Sequence, residues 1–260
     1  MLSDADRQKA ADILMNAEKT RKQATQLSVT FPGITFEDAY AISTECAKRK
    51  MAAGAKLIGH KVGLTSKAMQ QSSQIDEPDY GYLFDNMMVA DGAKVPHENY
   101  CAPRVEVELA FVLGKELKGP GVGLIDVLRA TEYVIPAIEI VDARIVNPRK
   151  IFDTISDNGA AAGIVVGGRP VGPMDVDLRW VGGIMMRNSE IEETGVAAGV
   201  LGHPAMGVAW LANKLGQHGV ALEAGHLVLA GSFTRVIWAQ KGDTVRADFG
   251  ALGSISLQFV

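Results

Sequence analysis

Three glutamates, Glu106, Glu108 and Glu139, are the residues whose type and spacing could do chemistry together. In Arg104-Val105-Glu106-Val107-Glu108-Leu109-Ala110-Phe111 the period is two, so Val105, Val107, Leu109 and Phe111 share one face of a strand. Arg104, Glu106 and Glu108 share the other. Glu139 lies in the apolar run Tyr133-Val134-Ile135-Pro136-Ala137-Ile138-Glu139-Ile140-Val141, where a lone ionised acid would cost several kcal/mol to bury unpaired. A hard divalent cation compensates such charge, because magnesium, with manganese as the alternative, takes oxygen ligands and keeps positions open for water and substrate. The competing reading is an ordinary solvent-facing stripe at Glu106 and Glu108, with Glu139 paired to Arg104 or Arg144. The pattern alone leaves both open.

Lys61, in Ile58-Gly59-His60-Lys61-Val62-Gly63-Leu64, sits among glycines that permit close approach of a ligand, and could orient a carboxylate; a snorkelling edge lysine is the blander reading. Asp76, Glu77 and Asp79 flank Pro78 in a turn, where acids commonly bond local backbone. Asp153-Thr154-Ile155-Ser156-Asp157-Asn158-Gly159 suits a polar substrate loop or a helix cap equally. The five histidines have no metal-site spacing, His203 before Pro204 reads as a cap-region residue, and Cys46 and Cys101 stand apart from any C-x-x-C. Zinc and a disulfide framework therefore lack support. Nucleotide-binding glycine motifs and a G-x-S-x-G elbow are missing as well.

The elements that must position these residues are legible in outline. The chain has 260 residues, 47% of them hydrophobic and 22% charged, enough to bury a full core. Its formal net charge of −4 argues against nucleic acid or an anionic membrane as partner and for a small molecule. No apolar run approaches the roughly 18 residues of a spanning helix, and the N-terminus lacks the basic-then-apolar order of a signal peptide. A soluble, cytoplasmic protein is the expectation.

Helical spacing predicts one long amphipathic helix over residues 4–27 and a second after a Thr35/Asp38 cap, which together form an N-terminal helical unit over residues 1–56. From residue 57 to 260 short β-rich segments dominate: 57–64, 104–113, 133–141, 163–166, 178–187, 226–231, 244–249 and 254–260. Asn188-Ser189 marks a hairpin, and Pro204 opens a helix ended by Gly216. Strands and helices do not alternate regularly, so the expected fold class is α+β with a β-rich mixed core.

Several joined motifs resemble the hydratase and decarboxylase branch of the fumarylacetoacetate hydrolase superfamily. They are Gly59-His60-Lys61-Val62-Gly63-Leu64-Thr65-Ser66-Lys67-Ala68-Met69, Glu77-Pro78-Asp79-Tyr80-Gly81, Arg104-Val105-Glu106-Val107-Glu108, Pro136-Ala137-Ile138-Glu139 and Ser156-Asp157-Asn158. Residues 70–75, 196–201 and 231–235 lean toward the hydratases that act on an unsaturated 2-oxo diacid. The resemblance implies a magnesium site at Glu106, Glu108 and Glu139 and a homo-oligomer, with assemblies as large as a decamer in range. It also implies water addition to an unsaturated 2-oxo acid. Decarboxylation, hydration of a shorter monoacid, and hydrolysis of an acylpyruvate carbon–carbon bond are the alternatives. Under that reading Lys61 positions the C1 carboxylate or stabilises an enolate and Asp79 is the candidate base. Ser156 and Asp157 are substrate-loop contacts, and Arg235 or Lys67 anchors a second carboxylate. The junction between Ile145 and Pro148 is several residues shorter than the resemblance implies, and it follows the Glu139 strand as a flap over the metal would.

Overall fold

The computed structural model describes residues 1–72 and 75–260, with the backbone alone at Ala68, Met69 and Ser72. Ser73 and Gln74, part of the 70–75 segment quoted above, lie outside the described residues.

The N-terminal helices are α1 (Asp4–Thr20), the single turn α2 (Leu27–Thr30) and α3 (Phe36–Ala52). Ser3 caps α1 by accepting from the Asp6 N–H, and Thr35 and Asp38 form a reciprocal capping box on α3, satisfying helix N–H groups that have no partner within their helix. The expected helix over residues 4–27 is shorter: Arg21 turns left-handed at φ 57° and ends α1. Residues beyond it serve another purpose. Ala24 bridges Ile145, its N–H donating to the Arg144 carbonyl at 2.8 Å and its carbonyl accepting from the Val146 N–H at 3.0 Å. Gln23 Nε2 donates to the Ala143 and Ile145 carbonyls, and Gln26 Nε2 to that of Pro148. The junction between Ile145 and Pro148 is thus tied to the N-terminal segment, and Ile145 joins Leu14, Leu27, Ile42 and Cys46 in one apolar cluster.

Among the described residues the body forms two sheets. Strands β1 (Leu57–Gly63), β2 (Asp79–Phe84), β3 (Met88–Val89), β5 (Pro103–Leu113), β6 (Thr131–Asp142), β7 (Ala161–Val166) and β10 (Leu227–Leu229) form the larger in the order β2-β1-β10-β5-β6-β7-β3, with β11 (Ile237–Trp238) also pairing β5. The smaller runs β4-β13-β12-β8-β9, built from β4 (Ala93–Val95), β8 (Gly182–Arg187), β9 (Glu190–Val196), β12 (Thr244–Asp248) and β13 (Ser254–Phe259). Residues 178–180, expected as strand, form a 3-10 turn instead, because Asp177 caps it and its side chain accepts from the Arg179 N–H. The β8–β9 hairpin turns at Asn188 and Ser189, both at positive φ, as a two-residue loop matched to strand twist requires. After α4 (Lys67–Ser72), α5 (Leu124–Ala130) and α6 (Ile151–Ser156), α7 (Ala205–Gly216) begins behind Pro204, with His203 Nδ1 accepting from the Ala205 N–H.

Val105, Val107, Leu109 and Phe111 of β5 share the main core with Val245, Ala247, Ile255 and Leu257 of the smaller sheet, which is the burial that fixes the register of β5. Its other face therefore turns away from that core. Ala110 on this opposite face meets Leu83, Phe84, Ile164 and Leu229. One face of β5 thus changes along its length from Arg104, Glu106 and Glu108 to apolar residues.

Candidate metal centre

Across the β5–β6 ladder Glu106 is the register partner of Glu139, and Glu108 that of Ala137. The three carboxylates fall on one face, with an oxygen from each within 4.8 Å of the others. Glu108 and Glu139 are fully buried and Glu106 is partly so. One Glu108 oxygen accepts from the Gly231 N–H at 2.8 Å. The other Glu108 oxygen and both Glu139 oxygens have no hydrogen-bond partner among the described residues.

Burial pushes the Glu139 carboxyl up to about 7, against the pull of Lys61 and with repulsion from Glu106 added. Burial, then repulsion from Glu139 and Glu106, lifts Glu108 well above the carboxylate range, and burial lifts Glu106. Packed carboxylates with orphaned oxygens fit a hard divalent cation, which supplies the missing charge and accepts the free lone pairs. The solvent-facing stripe does not fit this burial. Neither Arg104 nor Arg144 pairs with Glu139: the neighbouring cation is Lys61, whose Nζ lies 3.5 Å from Glu139 Oε2.

Lys61 projects from β1 and is buried, with Nζ donating to the Gly159 carbonyl at 3.1 Å. Burial opposes its charge, but Glu139, Asp79, Glu106 and Glu108 outweigh that and hold the ammonium above its ordinary value. Asp79, expected in a turn, is instead the first residue of β2, opposite Gly63 of β1. A Cβ on Gly63 would overlap the Asp79 carboxylate and crowd Lys61 Nζ, so only glycine lets the two groups stand together. Burial raises the Asp79 carboxyl against the attraction of Lys61, and its Oδ1 has no partner among the described residues. A basic and an acidic group thus share a buried wall beside the glutamates.

Two cavities open from this cluster. One, of about 240 Å³, is lined by Lys61, Asp79, Arg104, Glu106, Asn147 and Arg149. The other, of about 620 Å³, is lined by Leu64, Thr65, Glu106, Ser232, Thr234 and Arg235. Leu64 borders both and holds a left-handed φ of 55°, a conformation that costs a leucine energy. Gln70 secures it, Nε2 donating to the Leu64 carbonyl at 2.9 Å.

The other expected contacts divide. Arg235 borders the larger cavity, but its side chain is 83% exposed and 2.8 Å from Glu193. Lys67 Nζ donates to Gln70 Oε1 at 3.3 Å. Asp157 is taken up by Arg144: one carboxylate oxygen accepts from Arg144 Nε and the other from the Arg144 N–H. Ser156 is buried beside it, its hydroxyl without a partner among the described residues, and both border a small cavity under α1 and α3. Asn158 closes the wall differently, exchanging two hydrogen bonds with the Tyr82 backbone. Sequence reasoning missed Arg149 and Asn147 because the junction has no periodicity, and it gave Arg104 no role beyond pairing.

No helix among the described residues is long and apolar enough to cross a membrane. The family described as fumarylacetoacetate (FAA) hydrolase C-terminal matches residues 46–260. A 2-oxo-hept-4-ene-1,7-dioate hydratase of Escherichia coli is 58% identical over 257 residues, covering 96% of each chain. A 2-hydroxyhexa-2,4-dienoate hydratase of Comamonas testosteroni is 39% identical, covering 95% of this chain and 94% of its own. Among solved structures, a 4-oxalocrotonate decarboxylase from Pseudomonas putida G7 complexed with magnesium and adipate superposes with a TM-score of 0.97 at 36% identity, covering 100% of this chain and 99% of its own. With the family match spanning both sheets and relatives aligned nearly end to end, the chain belongs to the fumarylacetoacetate hydrolase family.

Proposed function

We propose that this chain is a magnesium-dependent hydro-lyase that adds water to 2-oxohept-4-ene-1,7-dioate, giving 4-hydroxy-2-oxoheptanedioate in the catabolism of homoprotocatechuate. The observation that carries the reading is the cluster of Glu106, Glu108 and Glu139 with Lys61 beside it, where Glu106, Lys61 and Asp79 line one cleft. The 58% identity to the E. coli hydratase supports the substrate. A cytoplasmic homo-oligomer of high order, with manganese able to replace magnesium, belongs to the same proposal.

Glu106, Glu108 and Glu139 would hold the ion, which when bound supplies Lewis acidity toward the oxygens of a 2-oxo acid. Lys61 is the buried cation beside that position and stabilises negative charge developing on the C2 oxygen, or orients the C1 carboxylate, in a setting where little water competes. Asp79, raised by burial yet held ionisable by Lys61, moves protons. It takes the proton lost from the C2 hydroxyl and delivers it to C5 as the 2-hydroxydienoate becomes the 2-oxo-3-enoate. It then takes a proton from the water whose oxygen adds at C4 and returns it to C3, which leaves Asp79 ionised for the next turnover. Gly63 lets Asp79 and Lys61 stand close enough to share these steps.

The test is an ultraviolet and product assay on 2-hydroxyhepta-2,4-diene-1,7-dioate, with EDTA or with added magnesium. Metal-dependent formation of 4-hydroxy-2-oxoheptanedioate is expected. Release of carbon dioxide from 4-oxalocrotonate without hydration would instead establish the decarboxylase reading, which the 0.97 TM-score to the P. putida G7 enzyme favours as the second. Metal-independent turnover would remove the three-glutamate site.

A further inference from the structure

A diacid needs a second cationic contact besides Lys61, and the two residues that sequence reasoning offered do not supply a buried one. Arg235 is largely exposed and already paired with Glu193, and Lys67 points to Gln70. The cavity of about 240 Å³ beside Glu106 holds two other guanidiniums, Arg104 at the start of β5 and Arg149 on the junction after β6. Arg104 Nε and Arg149 Nη1 are both buried without a hydrogen-bond partner among the described residues. A buried N–H left unpaired is costly, so such donors mark a place where a ligand completes the bonding.

The acids near these arginines are engaged elsewhere. Around Arg104 they are Glu106 and Asp142. Glu106 belongs to the carboxylate cluster, and Asp142 accepts from the Cys101 and Ala102 N–H groups. Around Arg149 they are Asp157 and Asp153. Asp157 is held by Arg144, while Asp153 accepts from the Ser28 N–H and hydroxyl and the Lys150 N–H. Two cations thus share one cavity with their nearest carboxylates already committed. Arg104 is further fixed by stacking on Trp238, 5.1 Å from the ring centroid, so its planar fork is preorganised.

We infer that Arg104 and Arg149 form the anchor for the remote carboxylate of the substrate, selecting a 2-oxo diacid over a 2-oxo monoacid. The assignment rests on the proposed 2-oxo acid chemistry for what lies at the glutamates, and it divides the smaller cavity into a reacting side at Lys61 and Asp79 and a specificity side at Arg104 and Arg149. The junction after β6 has a role in it. Its bonds to Gln23, Ala24 and Gln26 hold the chain that carries Arg149 over the cavity. A carboxylate there accepts charge-assisted hydrogen bonds from two forks, the arrangement for which arginine is better suited than lysine.

The test is calorimetric binding of 2-oxoheptanedioate and 2-oxoheptanoate to the magnesium-loaded protein. Both are saturated, so binding is read without turnover. The wild type is expected to bind the diacid more tightly by about tenfold to a hundredfold, the range of one or two charge-assisted contacts. Arg149→Met and Arg104→Met should bring that ratio toward one, Arg149→Lys should keep part of it, and Arg149→Glu should reverse it. If Arg104→Met does not fold, the Arg149 series decides alone, since that residue lies on the junction outside the sheets. A wild type with no diacid preference overturns the anchor, as does a ratio that survives both Arg149→Met and Arg149→Glu. So does a ratio lost in Arg235→Met but kept in the Arg149 variants. Failure of the hydratase reading is separate: it shows as missing turnover of the unsaturated diacid, whatever the binding ratio.

Discussion

Glu106 and Glu139 face each other as register partners across the central antiparallel pair, and Lys61 Nζ stands 3.5 Å from Glu139 Oε2 as the neighbouring positive charge. Directly opposite like charges destabilise a sheet. The two strands hold them together because the apolar face behind, from Val105 to Phe111, is locked in the main core and a slip in register would expose it.

Replacing Glu106 or Glu139 by Gln is therefore expected to remove an ion ligand without disturbing the core. Hydration activity should fall by about a thousandfold or more, since Lewis-acid stabilisation is worth several kcal/mol. Magnesium should raise the melting temperature of the wild type, and that rise should shrink or vanish in each variant. A full magnesium-dependent rise in both variants would contradict the ligand assignment.

The metal-free protein should lose stability as pH rises. Burial raises the Glu139 carboxyl to about 7 from an ordinary value of 4.5, so between those values the folded chain binds a proton that the unfolded chain has released. Stability from this group is then present at low pH and lost through that window. With EDTA the melting temperature should drop from about pH 5 to about pH 8 more in wild type than in Glu139→Gln. Added magnesium should raise it more at the upper end, where ligands are already deprotonated. Thermal melts across pH, with and without the metal, check both slopes.

Asp79→Asn and Lys61→Met should separate chemistry from metal binding. Loss of a proton-transfer group lowers kcat by about a hundredfold to ten-thousandfold, and Asp79→Asn should do so while retaining the magnesium-dependent melting shift. Gly63→Ala is expected to displace Asp79 and lower kcat more than it alters KM. Steady-state kinetics beside the melts distinguishes these outcomes; unchanged kcat in Asp79→Asn would remove its proton role.

Arg144→Met should be a stability variant. It leaves the Asp157 carboxylate buried without its partner, a change that costs about 3–5 kcal/mol, and pairing it with Asp157→Asn should recover part of the loss. Chemical denaturation of the single and double variants measures this. Full stability of Arg144→Met would instead leave Asp157 free for the substrate-loop role that its sequence context suggested.

The alternation in residues 104–111 determined by itself that Glu106 and Glu108 share a face, because a pleated strand admits no other arrangement of adjacent side chains. The Thr35/Asp38 cap, the Asn188-Ser189 turn and the helix behind Pro204 were equally legible, since each depends on contacts within a few residues. What needed the tertiary structure was every relation across the chain: Glu139 opposite Glu106, Lys61 rather than Arg144 beside it, and Asp79 on a strand opposite Gly63. Arg144 and Asp157 both looked available to a site until folding buried them against each other. Arg149 carried no signal beyond its place in the junction after the Glu139 strand, because an irregular junction has no period and is placed by its bonds to residues 23–26, over a hundred positions away in sequence. Local backbone geometry is written in neighbouring residues, whereas the partner of a buried charge is chosen by whichever distant group the packing brings within reach.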